Sequence, residues 1–135
     1  MKPLVFIINI LLIRWVFTPN IIRHIDECEN EYWSARELQE ALKYKEWRKF
    51  TNVINKSKDA CNNSGNVVEN HFVGTDKMIK IAKGAQRNII DYKLSRYACY
   101  LIAQNGDSRK KTIALAQTYF AVQTRKMEEL CLKNC

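Results

Sequence analysis

The chain is poor in the residues that most often carry chemistry or interrupt structure. It holds two histidines, His24 and His71, in no metal-ligand spacing, with two prolines and four glycines among 135 residues. So few breakers exclude a proline- or glycine-rich linker, and the chain reads as one folded domain without repeats. A glycine-rich phosphate loop, a serine-centred elbow and a paired acid motif are all absent, which removes the sequence patterns of the common nucleotide hydrolases and esterases. The five cysteines, Cys28, Cys61, Cys99, Cys131 and Cys135, are an odd number and lack the dense pairing of small secreted domains. Cys131 and Cys135 have no second ligand pair to complete a zinc site. Cys99 would be reactive only where a helix start lowered its pKa, and inside Ala98-Cys-Tyr-Leu it reads as a small core side chain. No enzyme activity, metal or cofactor is expected.

Long apolar runs are also missing. The richest stretch, residues 4–13, has nine large apolar side chains around Asn9 and is closed by Arg14. It is too short for a membrane span of ~20 residues. It resembles the apolar region of a signal peptide, but Thr18-Pro19-Asn20 is a poor cleavage site. Three readings stay open for residues 1–20: an extension foreign to the domain, a signal-like or interfacial anchor, or an ordinary buried strand. The domain itself is placed at residues 21–132, with a membrane partner disfavoured and a cytoplasmic location expected.

Positive charge is what the chain has in excess. Its 22 lysines and arginines outnumber 14 acids, for a net charge of +8. Such a balance favours polyanionic partners, nucleic acid first and an anionic membrane surface second. Residues 43–58 hold six cations (Lys43, Lys45, Arg48, Lys49, Lys56, Lys58) against Glu46 alone. Residues 77–96 hold six more (Lys77, Lys80, Lys83, Arg87, Lys93, Arg96) against Asp91 alone. Arg109-Lys110-Lys111 forms a third cluster, while acids concentrate at residues 26–40. Segregation of this kind fits contacts to a phosphate backbone, and equally three separately solvated faces.

Periodicity gives an α+β domain: a small mixed or antiparallel sheet against about four helices. Residues 21–26 and Tyr32-Trp33 read as strands. Ser34-Ala-Arg-Glu37 is a capping box, with Ser34 covering the third amide and Glu37 reaching back. A second helix is expected over 46–62, with Trp47, Phe50, Val53, Ile54 and Cys61 inward and Ser64-Gly65 ending it. Residues 72–94, broken by Gly74 and Gly84, suit two or three short strands. Ser95 caps a third helix that Gly106 ends in a left-handed conformation. A long fourth helix, capped by Asp107 or Ser108, runs to about residue 132, with Ile113, Ala116, Phe120, Met127 and Leu130 along one stripe. Trp33, Leu38, Leu42, Trp47, Phe50, Ile54, Leu101, Ile102 and Phe120 are the expected core. Aromatics interleave with cations as single-strand stacking platforms do, and Tyr44 and Tyr92 are the best candidates, although most aromatics sit at core spacings.

Three blocks carry a family likeness: Glu31-Tyr-Trp-Ser-Ala-Arg-Glu-Leu38, the run from Tyr92-Lys-Leu-Ser-Arg-Tyr97 to Gly106-Asp107, and Gln117-Thr-Tyr-Phe-Ala-Val-Gln-Thr-Arg125. Their order and gaps closely resemble the N-terminal region of the DNA-damage-inducible protein D family, itself related to the BRO N-terminal domain of viral DNA-binding proteins. The likeness covers roughly residues 22–125. It implies a BRO-N-like fold, a bacterial or phage setting in the SOS response to DNA damage, and an association with single-stranded DNA or recombinase filaments. Relatives of this family continue beyond residue 135, so the chain is expected to represent part of such a protein.

Two functions follow as expectations. The first is non-catalytic DNA association through a basic face made by Lys45, Arg48, Lys49, Lys83, Arg87, Lys93 and Arg96. Within it, Lys83-Gly84-Ala85-Gln86-Arg87 is favoured, since Gly84 lets backbone N–H groups approach a phosphate. The bland counterpart for that segment is a hairpin turn with solvated charges. The second is a protein–protein interaction module whose basic face meets an acidic partner without direct DNA contact.

Overall fold

The computed structural model describes residues 21–134. Residues 1–20 and Cys135, with the readings offered for the apolar extension, lie outside the described residues. In chain order the elements are β1 (His24–Ile25), β2 (Glu31–Ser34), α1 (Ala35–Ala41), α2 (Trp47–Asn63), β3 (Phe72–Lys80), β4 (Gln86–Leu94), α3 (Arg96–Gln104) and α4 (Lys111–Lys133), with single 3₁₀ turns at Val68–Asn70 and Ala82–Gly84. The class is α+β. One antiparallel sheet has the order β1-β2-β4-β3.

The first strand is shorter than its alternation suggested. Asp26 leaves the ladder because its carboxylate accepts the amides of Cys28 and Asn30 at 2.9 and 2.8 Å, turning the chain back into β2. Half of the expected capping box forms at α1. The Ser34 hydroxyl oxygen accepts the Glu37 amide at 3.4 Å, but the Glu37 carboxylate meets His24 Nε2 at 2.6 Å instead of reaching back. Helix α2 ends as its sequence indicates. Gly65 takes φ +87°, while the amides of Gly65 and Asn66 close onto the carbonyls of Asn62 and Cys61. Helix α1 ends in the same pattern with Lys43 at φ +66°, where glycine would be unstrained.

Between residues 72 and 94 there are two long strands, and Gly74 does not break them. It pairs with Tyr92 inside a nine-rung ladder from Phe72↔Leu94 to Lys80↔Gln86. Gly106 also differs from expectation. Its φ is not positive; a Cβ there would lie 2.7 Å from Ile113 Cδ1. Glycine is needed because α4 approaches the end of α3 so closely. The cap of α4 is Lys110, without a side-chain bond. Asp107 is unavailable for capping because its carboxylate accepts the Arg109 amide and forms an ion pair with the Arg109 guanidinium.

Helix α3 is the centre of the core. Ala98, Cys99, Leu101, Ile102 and Ala103 are buried, and the helix touches β2, β4, α2 and α4. Around it pack Trp33, Leu38, Leu42, Phe50, Ile54, Cys61, Phe72, Leu94, Ile113 and Ala116. Trp47 and Phe120, expected at full depth, pack at its margin. The stripe on α4 fails beyond Phe120, where Met127 and Leu130 are exposed, because the second half of that helix runs clear of the core.

One buried carboxylate ties three elements together. Asp91 on β4, 4% exposed, accepts the Ser34 hydroxyl at 2.6 Å, the Arg36 amide at 3.0 Å and the Tyr92 amide at 2.8 Å. It therefore joins the end of β2 and the first turn of α1, where the helix dipole favours negative charge.

Two stability predictions follow. Asp91→Ala orphans a buried hydroxyl and a helix amide and is expected to cost about 2–4 kcal/mol, read by urea unfolding; a loss under 1 kcal/mol would show the three bonds to be dispensable. Gly106→Ala is expected to cost about 1–3 kcal/mol through overpacking. Because the clash is with Ile113 Cδ1, Ile113→Val should recover part of it in a double-mutant cycle, and simple additivity would refute that contact as the cause.

Candidate nucleic-acid interface

The seven cations expected to share a face are sorted by the fold into separate places. Lys45, in the turn between α1 and α2, and Lys49, on the first turn of α2, meet in a groove. That groove is walled opposite by the α3–α4 loop, has a volume of about 650 Å³, and also takes in Lys56, Arg109 and Lys110. Arg48 is exposed on α2 and does not line it.

The groove is built by particular contacts. Tyr44 is buried against Phe50, and its hydroxyl oxygen accepts the Asp107 amide at 2.8 Å, clasping the two loops. Burial pushes the Tyr44 phenol up. Lys110 lies 4.7 Å over the Tyr44 ring and donates to the Lys43 carbonyl at 3.0 Å. Thr112 donates to the Leu42 carbonyl at 3.2 Å. Within the groove Arg109 is matched by Asp107, whose carboxyl the Arg109 hydrogen bonds pull down to about 2. Lys49 stands 4.0 Å from Glu46, while Lys45 and Lys56 form no ion pair among the described residues. Lys56, Arg109 and Lys110 belong to clusters visible in the sequence, but only the tertiary closure shows that they join Lys45 and Lys49.

Lys83 and Arg87 lie elsewhere, at the tip of the β3–β4 hairpin. Lys83 at φ +61° and Gly84 at φ +76° turn the chain, with the Ile81 amide closing onto the Ala85 carbonyl at 2.8 Å. Outboard of Asp91 the hairpin carries Lys77, Lys80, Lys83 and Arg87, none of them in an ion pair among the described residues. Lys93 stands on the sheet with its ammonium 4.9 Å over the Tyr32 ring. His24 stacks on the same ring at 5.2 Å. A shallow cleft of about 300 Å³ beside them also includes Lys77, Thr75 and Asp91. No described cavity is lined by both sets: Lys45 and Lys49 line the groove, Lys77 and Lys93 the cleft, and Lys83 and Arg87 neither.

Arg96 is committed to structure. Its guanidinium grips Glu31 in a bidentate pair, with Nε to Oε1 at 2.8 Å and a terminal nitrogen to Oε2 at 2.9 Å, and it also reaches Tyr100. Those Arg96 hydrogen bonds hold the Glu31 carboxyl below its usual range. The two tyrosines singled out for stacking are likewise occupied. Tyr44 is core, and Tyr92 is covered by Trp47 at 6.5 Å and by the Lys58 ammonium at 4.3 Å. Cys99 is buried, and that burial pushes its thiol up, away from the reactive thiolate. Among the described residues no group of three potential ligands could hold a metal, and no helix is long and apolar enough to cross a membrane.

Residues 21–121 match the family described as BRO family, N-terminal domain. The chain belongs to that family. Over 107 residues it is 51% identical to DNA damage-inducible protein D of Escherichia coli (strain K12), an alignment covering 79% of this chain and 39% of that protein. The aligned part of the chain thus spans about two fifths of the length of this relative. No solved structure matches it.

The Glu31–Arg96 pair generates a pH prediction. A carboxylate whose folded pKa is lowered contributes stability above its unfolded value near ~4.3 and loses it as pH falls through the folded value. Glu31→Gln is expected to cost about 1 kcal/mol at pH 7, the pair being partly exposed, and progressively less as pH falls below ~4. A cost that persisted unchanged at pH 3 would assign the effect to packing.

Proposed function

We propose that this BRO-family domain acts in the DNA-damage response as a non-catalytic DNA-associating module, with phosphates held in the groove between the α1–α2 and α3–α4 loops. The observation that carries the reading is the gathering of Lys45, Lys49, Lys56, Arg109 and Lys110 around one open groove against Glu46 and Asp107. Five cations against two acids leave a local excess of 5 − 2 = 3 positive charges. Because its lining is about half polar and carries that excess of positive charge, the groove suits a chain of phosphates better than a wholly apolar ligand. The name of the relative in Escherichia coli supplies the setting of DNA damage. DNA, bare or covered by a recombinase filament, is the partner that the family likeness suggests.

The measurement is fluorescence anisotropy with a labelled oligonucleotide, titrated with salt. Lys45→Ala/Lys49→Ala/Lys56→Ala is expected to weaken binding at least tenfold at low salt. On single strands it should shallow the log–log salt slope by about 2, at ~0.7 per phosphate contact. Thermal stability should stay nearly unchanged, since all three side chains are on the surface. An intact domain that binds no oligonucleotide at low salt would instead support a groove that meets an acidic protein surface.

A further inference from the structure

The hairpin between the groove's helices and α3 has a feature that phosphate binding in the groove does not use. Beyond the Thr75↔Asp91 rung, β3 and β4 continue for five more rungs to Lys80↔Gln86. At ~3.4 Å per residue this is an arm of roughly 17 Å. Strand β2 pairs with β4 only at Leu94 and Lys93, and β3 is the edge of the sheet, so among the described residues no strand flanks the arm, and the Arg36 side chain closes the β4 edge only at the arm's base, donating to the Ile90 carbonyl at 2.8 Å. Its residues from 80 to 88 are exposed throughout.

The two faces of the arm differ. Register places Met78 opposite Asn88, Asp76 opposite Ile90, and Lys80 opposite Gln86 on one face. This is the more open face, with Met78 55% and Ile90 61% exposed. It offers two amide side chains, two apolar ones and a cation, with Asp76 at its base. Lys77 and Arg87 stand on the other face with Ile79 and Ile89, and Lys83 stands at the tip.

Resting on the DNA-associating reading, we propose that this arm enters the major groove of duplex DNA, its Met78, Gln86, Asn88 and Ile90 face turned to the base edges and Lys77, Lys83 and Arg87 reaching the flanking phosphates. The major groove is ~12 Å wide and ~8.5 Å deep and admits a two-stranded β-ribbon. A primary amide pairs with the N6 and N7 edge of adenine, and apolar side chains meet the thymine methyl. An acidic protein partner would match the cations but gives no role to the adjacent amides. Lysine alone on an open strand edge is also a guard against aggregation, and this alternative makes a different prediction from a reading face.

The test uses the full chain, a labelled 20-base-pair A·T-containing duplex, and its single strand in anisotropy titrations. Gln86→Ala/Asn88→Ala is expected to weaken duplex binding about tenfold with an unchanged salt slope, and to leave single-strand binding unaltered. Lys83→Ala/Arg87→Ala is expected to shallow the duplex slope by about 1.8, two contacts at ~0.9 each. A duplex whose major groove is blocked by glucosylated hydroxymethylcytosine should bind as weakly as the amide variant. If the arm variants and the blocked duplex all bind like the originals while Lys45→Ala/Lys49→Ala/Lys56→Ala does not, the arm proposal falls and the groove reading stands. Aggregation of the Lys83→Ala/Arg87→Ala protein with unchanged duplex affinity assigns those cations to edge protection and overturns the proposal. Absence of any DNA binding by the unaltered chain overturns both.

Discussion

A single carboxylate buried with three donors organises this domain. Asp91 is on a strand, yet it satisfies the amide of a helix's first turn and a hydroxyl at the end of a neighbouring strand. A lone ionised group at such depth would be costly, and the three donors remove most of that cost. The Ser34 hydroxyl serves twice, donating to Asp91 and accepting from Glu37, so helix α1 starts only where β2 and β4 are already in register. Asp91 is also the buried residue of the hairpin nearest its tip. Inboard of it the strands belong to the core through Leu94, Phe72 and Trp33; outboard they are a free arm. The boundary between scaffold and working surface is set by that one side chain.

The groove depends on a different kind of constraint, close approach. Without a Cβ at Gly106, Ile113 can press against the end of α3, and α4 then starts beside the α1–α2 turn. The Tyr44 hydroxyl and the Lys110 ammonium finish the closure with one bond each to backbone on the far side. The strained left-handed Lys43 belongs to the same turn. Gly106, Ile113 and Tyr44, none of them charged, together with Lys110 thereby bring five cations from two stretches of the chain around one groove.

Much of the scaffold was legible because its signals are local. Ser34 and Ser95 are caps whose oxygens accept amides within one turn, and Phe50, Val53, Ile54 and Cys61 repeat at helical spacing, so caps and inward faces could be read from neighbouring residues. What could not be read is set by distant atoms. Gly106 was taken for a left-handed stop because a glycine after a helix usually is one; its true reason, Ile113, is a tertiary contact. Asp107 was taken for a cap, but Arg109 claims it. Of the candidate site, Lys45 and Lys49 fall in the groove, and Lys83 and Arg87 at a hairpin tip as the turn chemistry of Lys83-Gly84 implied. The ion pair of Arg96 was not legible, because nothing local reveals Glu31, 65 residues away, as its partner. Tyr44 and Tyr92 had charged neighbours in sequence, which says nothing of the rings and cations that cover them in space.

The arm raises a question of design that charge alone does not answer. A two-stranded ribbon without sheet neighbours is marginal in water, and its unpaired edges invite pairing with another chain. Lysines at 77, 80 and 83 meet that hazard whatever else they do. Protection of this kind, however, asks only for charge, and it is best served by short strands and polar faces. This ribbon is instead nine residues long on each side and keeps Met78, Ile81 and Ile90 in the open. Exposed apolar groups on an open edge cost solubility unless something covers them part of the time. The cations favour a cover of negative sign. In the arm reading proposed above, Gln86 and Asn88 beside Met78 meet a surface that presents donors, acceptors and methyl groups a few ångströms apart. A negatively charged surface with those groups recessed between its phosphates is what a DNA groove provides.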